Sequence, residues 1–286
     1  MINIGFMIGH VDYIPHAKLL IGSIVKNMDT VKSVHIFAMT PRDFPIKIGI
    51  YGVTQITFDM PKNMVNIPFA DKMFAASKFE SLVEAPYLWM DVDGYFFKEP
   101  NLISDSEISV NPVDQKNIGD LYEGQLSEFW DILYNYFQLD NIHHSSYPVT
   151  TGVSNETIFP YFNVGMVLVQ KHRNLFKLVT DSLIVLLEND DIKAIIENSY
   201  VHLIFIHQAI FTVAVLKLYK SHHIKPLPYG VNYPMHFNDN FTDPIPYEDI
   251  VSIRYDTFFE FHEVPSCWQS IFSEFKDSLK INWYYE

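Results

Sequence analysis

The sequence predicts an α/β protein built on a mostly parallel central sheet flanked by helices. Three observations carry this expectation. Short apolar runs such as "INIGFMI" (2–8) have the composition of strands buried on both faces. Longer segments between them repeat their apolar residues at helical spacing. Through residues 2–93 the order is strand, helix, strand, strand, helix, strand, which is that of an open α/β sheet.

In chain order, the first strand stops at Gly9, and a helix is expected from about Pro15 to Met28, with Leu19, Leu20, Ile24 and Met28 on one face. "SVHIFAM" (33–39) and "VTQITF" (53–58) read as strands. "DKMFAASKFESLVEA" (71–85) reads as a helix with Asp71 as N-cap and Pro86 as its stop. The strand "YLWMDV" follows. Beyond it, "EISVNPV" reads as a strand, 124–137 as an amphipathic helix, 161–169 as a strand, and 173–188 and 199–219 as helices. The stretch 141–156 has the turn formers of an exposed loop, and the chain after Lys225 is aromatic and punctuated by proline. No repeat or linker interrupts the chain, so one domain over 1–286 is expected. Residues 1–100 are expected to form one half of it, and 101–286 the other half with an insert and a wrapped C-terminal segment.

Composition narrows the function classes. Hydrophobic residues make up 48% of the 286, enough for a large core. The net charge is −14 and the 20 Lys and Arg residues are scattered, which argues against nucleic acid as a partner. Cys267 is the single cysteine, so neither an internal disulfide nor a multi-cysteine zinc site can form. The N-terminus lacks a basic n-region, and no apolar run is read as long enough to span a membrane. A cytoplasmic protein without a transmembrane segment is expected.

Asp91 and Asp93 stand out in "YLWMDVDGYFFKEP" (87–100), where carboxylates interrupt an apolar strand and the aromatic run after it. Carboxylates are rarely buried without a partner. Side chains two apart on a strand share a face, and open α/β sheets bind ligands at strand carboxyl ends. The pair therefore suits a hard cation, Mg²⁺ or Mn²⁺, that also takes substrate phosphates. The competing reading is an Asp that caps a turn beside an Asp paired with a nearby lysine. Gly94 is expected to let the backbone turn sharply after the pair.

The segment resembles the Asp-X-Asp stretch of GT-A nucleotide-sugar glycosyltransferases, especially glycogenin and the bacterial lipopolysaccharide galactosyltransferases. "FMIGHVDYIPHAKLLIGSIVKN" (6–27), "YFNVGMVLV" (161–169) and "LPYGVNYP" (227–234) are similar to further stretches of that family, in the same order. The resemblance implies a hexosyl-transferring enzyme that moves a sugar from a nucleoside diphosphate, with UDP as the expected nucleotide, to a carbohydrate, lipid-linked or other hydroxyl acceptor. It implies that residues 1–100 are the nucleotide-binding half and 101–286 the acceptor half, that Gly9, His10 and Tyr13 border the base and ribose, and that Asp91 and Asp93 hold Mn²⁺ or Mg²⁺. It further implies that Lys78 reaches a phosphate or the sugar, that Asn163 hydrogen-bonds the sugar, and that Gln208 lies near the reacting carbon.

Two departures accompany the resemblance. His207 stands where the family has an acidic neighbour of Gln208, and Arg254 stands where it has a metal-ligating histidine. Arginine offers only donors, so it cannot ligate a cation but can bind a diphosphate. His262 and His236 are the candidates for a substitute ligand. These departures keep open a non-catalytic nucleotide-sugar or carbohydrate-binding protein. A sugar nucleotidyltransferase fits less well, because "IGHVDY" lacks that group's glycine-rich basic loop. Trp130, Trp268 and Trp283 are candidates for a sugar-stacking platform, with core packing as the alternative.

Overall fold

The computed structural model describes residues 2–28, 34–50, 52–102, 105–139 and 147–272. Strand β1 (Ile2–Met7) leads through a 3₁₀ turn (Val11–Tyr13) into α1 (Ile14–Asn27), with a proline at the helix start. Strands β2 (Val34–Pro41) and β3 (Val53–Phe58) follow, then α2 (Ala70–Glu80), β4 (Tyr87–Met90) and the short β5 (Gly94–Phe96). Next come β6 (Ile108–Pro112), α3 (Glu128–Tyr136), a small hairpin of β7 (Val149–Thr150) and β8 (Thr157–Ile158), and β9 (Phe162–Val169). Helices α4 (Leu175–Leu186), α5 (Asp190–Asn198) and α6 (Tyr200–Leu218) precede β10 (Ile224–Lys225), β11 (Tyr233–Pro234) and β12 (Ser252–Arg254).

The central sheet has seven strands in the order β10-β6-β9-β4-β1-β2-β3. Its pairings are parallel except where β9 lies antiparallel between β4 and β6. Side chains of β4 divide between two cores. Tyr87 and Trp89 face the layer of α2, α4 and α6, while Leu88 and Met90 face α1. Along β9, Phe162 and Val164 join the first core, but so do Val167 and Val169. The alternation therefore changes parity around Gly165, and the register with β6 shifts at the same place. A break of this kind re-aims side chains at the rim of a sheet.

Glu80 shows how the α2 layer is fastened. Its buried carboxylate accepts Tyr87 Oη–H at 2.6 Å and the backbone N–H groups of Leu175 and Lys177 at 2.8 and 3.0 Å. It thereby caps α4 from another helix, where the acidic charge also suits the helix dipole.

A second sheet, β11-β12-β5, carries the C-terminal segment back over α1. Tyr95, Ile253, Tyr255, Phe258, Trp268 and Phe272 bury against one another there. In this sheet Arg254 pairs in register with Gly94, which sets the end of β12 beside the aspartate pair.

Four expectations need correction. Asp71 lies in the first turn of α2, whose N-cap is Phe69 in a left-handed conformation with φ 60°. The helix stops at Glu80, before the Pro86 expected to end it. Gly94 opens β5, and its lack of a side chain matters because a Cβ would lie 2.6 Å from Met90 Cε. Finally, α6 is long and apolar enough to cross a membrane by length and composition, with 61% of its most apolar window buried in the fold. His202, His207 and Gln208 lower its hydropathy too little to fail that test.

Candidate active site

Asp91 and Asp93 lie just past the end of β4, in a turn rather than in the strand itself, and both line a cavity of about 470 Å³. The backbone N–H of Asp91 donates to Gly165 O at 2.8 Å, so the last step of the β4–β9 ladder fixes where that carboxylate starts. The Asp91 carboxylate accepts Lys72 Nζ at 2.5 Å. Asp93 Oδ2 accepts the backbone N–H of Asp256 at 3.0 Å, and Asp93 O accepts that of Tyr255 at 3.1 Å. The turn-and-lysine arrangement that competes with a metal reading is thus present around the pair.

Arg254 enters the cavity from β12 and pairs with Asp114 at 2.5 Å, both side chains being largely buried. Its Nε is buried without a hydrogen-bond partner among the described residues. Burial opposes the guanidinium charge, yet Asp114, Asp93 and Asp256 together hold its pKa above the ordinary value. Five carboxylates (Asp71, Asp91, Asp93, Asp114 and Asp256) are therefore grouped with two cations, Lys72 and Arg254. Burial, then Asp91 and Asp256, push the Asp93 carboxyl up to about 7.

Asn163 and Gln208 complete the wall. Asn163 Oδ1 accepts Gly165 N–H at 2.6 Å, and its Nδ2 lies 3.4 Å from Asp114 Oδ2. Gln208 Oε1 lies 3.4 Å from Val164 N. His207 is held down to about 3 by burial and by Lys72, so a neutral imidazole occupies the place of the expected acid. A second cavity of about 290 Å³ adjoins the first at Asn163, with Asp114 and Tyr229 on its wall.

The profile of the Rhodobacterales glycosyltransferase domain matches residues 6–217, which include every residue of the first cavity named so far except Arg254 and Asp256. This chain belongs to that family. Among solved structures it is similar to the bifunctional glycosyltransferase WbbM, at 12% identity over 95% of this chain and 51% of that one, with a TM-score of 0.51. The match to mouse xyloside xylosyltransferase 1 has 8% identity over 93% and 100% of the two chains, with a TM-score of 0.48. The galactosyltransferase LgtC, solved with donor and acceptor sugar analogues, has 11% identity over 94% and 99%, with a TM-score of 0.45. At 12% identity the likeness to WbbM is one of fold, the GT-A arrangement, and the chain spans about half the length of that protein. No curated protein sequence matches it.

Other residues singled out in this glycosyltransferase's sequence lie as follows. Tyr13 lines the cavity, half-buried, with its edge toward His16. Gly9 and His10 do not line it. His10 is exposed and pairs with Asp12 at 3.0 Å, and Gly9 lies where a Cβ would come 3.4 Å from Asp71 Oδ2. Lys78 is exposed on α2 and does not line the cavity, and the lysine at the aspartates is Lys72. Six residues are about one and two-thirds helical turns, which puts the two lysines on different faces. His236 stands behind Asp256 at 3.8 Å and His262 pairs with Asp239 at 3.5 Å, so neither reaches the cavity. Trp130 and Trp268 are core residues, and Trp283 lies outside the described residues.

Gly165 allows the close approach of β4 and β9 here. A Cβ at this position would lie 2.8 Å from Asn163 Oδ1 and 2.9 Å from Asp91 Oδ2. Gly165→Ala is expected to destabilise the protein by about 1–3 kcal/mol, read as a melting temperature several degrees lower. An unchanged melting temperature would show that the turn yields without cost.

Proposed function

We propose that this glycosyltransferase moves a sugar, a hexose in the first instance, from a UDP-sugar to a hydroxyl acceptor with the help of a divalent cation. The observation that carries the reading is the convergence of Asp91, Asp93, Lys72, Asn163, Gln208 and Arg254 on one cavity in a chain of this family. A volume of about 470 Å³ is in the usual range for a small-ligand site.

The residues present fit a hard cation. Asp91 and Asp93 line the cavity together with Asp71 and Asp256, and burial, then the charges of Asp91 and Asp256, shift the Asp93 carboxyl upward. Among the described residues no three His, Cys, Asp or Glu side chains form a metal-binding group, so Asp91 and Asp93 would hold the ion while donor phosphates and water fill its other positions. When bound, Mn²⁺ or Mg²⁺ supplies positive charge that neutralises the departing diphosphate.

The protein's own groups divide the remaining work. Lys72 and Arg254 offer N–H donors to phosphate oxygens. Tyr13 presents a ring to the base. Asn163 and Gln208 offer amides to the sugar near its anomeric carbon, and the neutral His207 beside them adds no charge. Phe69, Trp89 and Phe205 make the wall apolar, which excludes water from the reacting atoms.

UDP is expected to raise the melting temperature, more so with Mn²⁺ present, and NAD is expected to have no effect. At a hundredfold excess over Kd the stabilisation is about 2.7 kcal/mol. No shift with any nucleoside diphosphate or nucleotide sugar would overturn the donor assignment.

A further inference from the structure

We infer that Lys72 is an exchangeable counter-ion that keeps the divalent cation weak until the donor diphosphate draws the ammonium away. The inference rests on the reading of Asp91 and Asp93 as the metal-holding pair. It concerns the order in which metal and donor bind, on which the metal reading itself is silent.

The geometry carries it. Lys72 Nζ lies 2.5 Å from Asp91 Oδ1, so the ammonium occupies space that a cation bound to that oxygen would need. The lysine side chain is 10% exposed and that of Asp91 28%, so the pair is poorly screened by water, and metal and ammonium would repel strongly at such range. Lys72 belongs to the first turn of α2 and cannot withdraw by moving the helix, because α2 is packed over β1 and β2 and fastened to α4 through Glu80. What can move is the flexible four-carbon stem. Among the described residues its other oppositely charged neighbours are Asp93 and Asp71, and the Oδ1 of Asp71, on its own helix turn, already accepts the backbone N–H of Lys72 at 2.8 Å.

A diphosphate entering the cavity offers Lys72 a new anionic partner. The ammonium can then pass from the carboxylate to a phosphate oxygen, leaving Asp91 free for the metal. Charge is conserved in the exchange, since one lysine contact replaces another. Coupling between two ligands is reciprocal, so the metal strengthens the diphosphate by the same factor. The device limits tight binding of a bare cation to a site of surplus negative charge.

The test is a titration of Mn²⁺ into the full chain, with free Mn²⁺ followed by electron paramagnetic resonance, in the absence and presence of UDP. Four proteins are compared, the wild type, Lys72→Met, Lys72→Arg and Lys78→Met. Melting curves beforehand establish that each variant is folded. Without nucleotide, Lys72→Met is expected to bind Mn²⁺ about tenfold more tightly than the wild type, with the gain on adding UDP reduced by the same factor. Lys72→Arg, which keeps the cation, should stay near the wild type. Lys78→Met removes the same charge from the exposed part of α2, and it too should stay near the wild type.

Unchanged nucleotide-free Mn²⁺ affinity in Lys72→Met would overturn the proposal. So would an equal rise in Lys78→Met, which would assign the effect to net charge. The nucleotide-free arm does not involve UDP, so a failure of the donor reading, seen as no UDP effect on melting or on Mn²⁺, is distinguishable from a failure of the exchange.

Discussion

Asp93→Asn is expected to abolish transfer while making the metal-free protein more stable at alkaline pH. Loss of the charge removes half of the carboxylate pair, and comparable losses of electrostatic stabilisation cost about 10²–10³ in rate. The amide keeps the shape and can still accept the Asp256 N–H now bound at 3.0 Å. The stability effect follows from the raised carboxyl. Its folded value of about 7, caused by burial and then by Asp91 and Asp256, lies above its ordinary value of 3.8. A carboxyl shifted upward contributes stability below the unfolded value, and that contribution is lost as pH rises from about 4 to about 7. Over this window the wild type should weaken by an amount that a shift of this size limits to roughly 4 kcal/mol. The asparagine variant does not titrate there. The two proteins should therefore melt together near pH 4, and the variant should melt higher at pH 8. Adding Mn²⁺ at pH 8 should raise the wild type toward it. If Asp93→Asn is the less stable protein across the whole range, the pair is structural and the metal reading loses its main support.

Much of the sheet was legible because burial on both faces leaves a plain signature. The apolar runs at 2–8 and 161–169 each became a strand, while the more polar 53–58 became the edge strand β3 with the expected bounds. A run that is apolar throughout does not encode its direction, however, and the antiparallel insertion of β9 between β4 and β6 had no local signal. The same limit explains the lysines. Which face of α2 meets the cavity depends on how that helix packs over β1, and its apolar pattern is too weak to say.

At the site, Asp91 and Asp93 were legible because carboxylates at the end of an apolar strand are anomalous for a core and ordinary for a ligand. Asp114 and Asp256 carried no such anomaly. One lies just past β6 and the other just past β12, and both matter only because the fold brings them to Arg254 and Asp93. Asn163 shows two meanings coexisting. Its carbonyl oxygen satisfies Gly165 N–H at 2.6 Å, the bland reading of an amide at a strand irregularity, while the residue also lines the cavity.

Arg254→Ala is expected to lose about 3–5 kcal/mol of stability, the cost of removing one partner from a buried ion pair. Among the described residues, Asp114 would be left with only the weak 3.4 Å side-chain contact from Asn163. Chemical denaturation measures this loss, and the double variant Arg254→Met with Asp114→Asn should recover most of it, because no uncompensated charge then remains. The double variant also isolates the proposed phosphate role. Arg254 is already engaged by Asp114, so its contribution to the donor must come from donors that this pairing leaves over, and the unpartnered Nε shows that the guanidinium is not saturated. A hydrogen bond to a charged group is worth about 1.5–3 kcal/mol, so UDP affinity in the stable double variant should fall by roughly ten- to a hundredfold. Calorimetry with Mn²⁺ and with EDTA separates the two sources of positive charge. If Arg254 shares the diphosphate with the cation, the loss on mutation should be larger in EDTA, where the guanidinium has no metal to back it. If UDP binds the folded double variant as tightly as the wild type in both conditions, Arg254 serves only to neutralise Asp114 and to hold β12 against the aspartate turn.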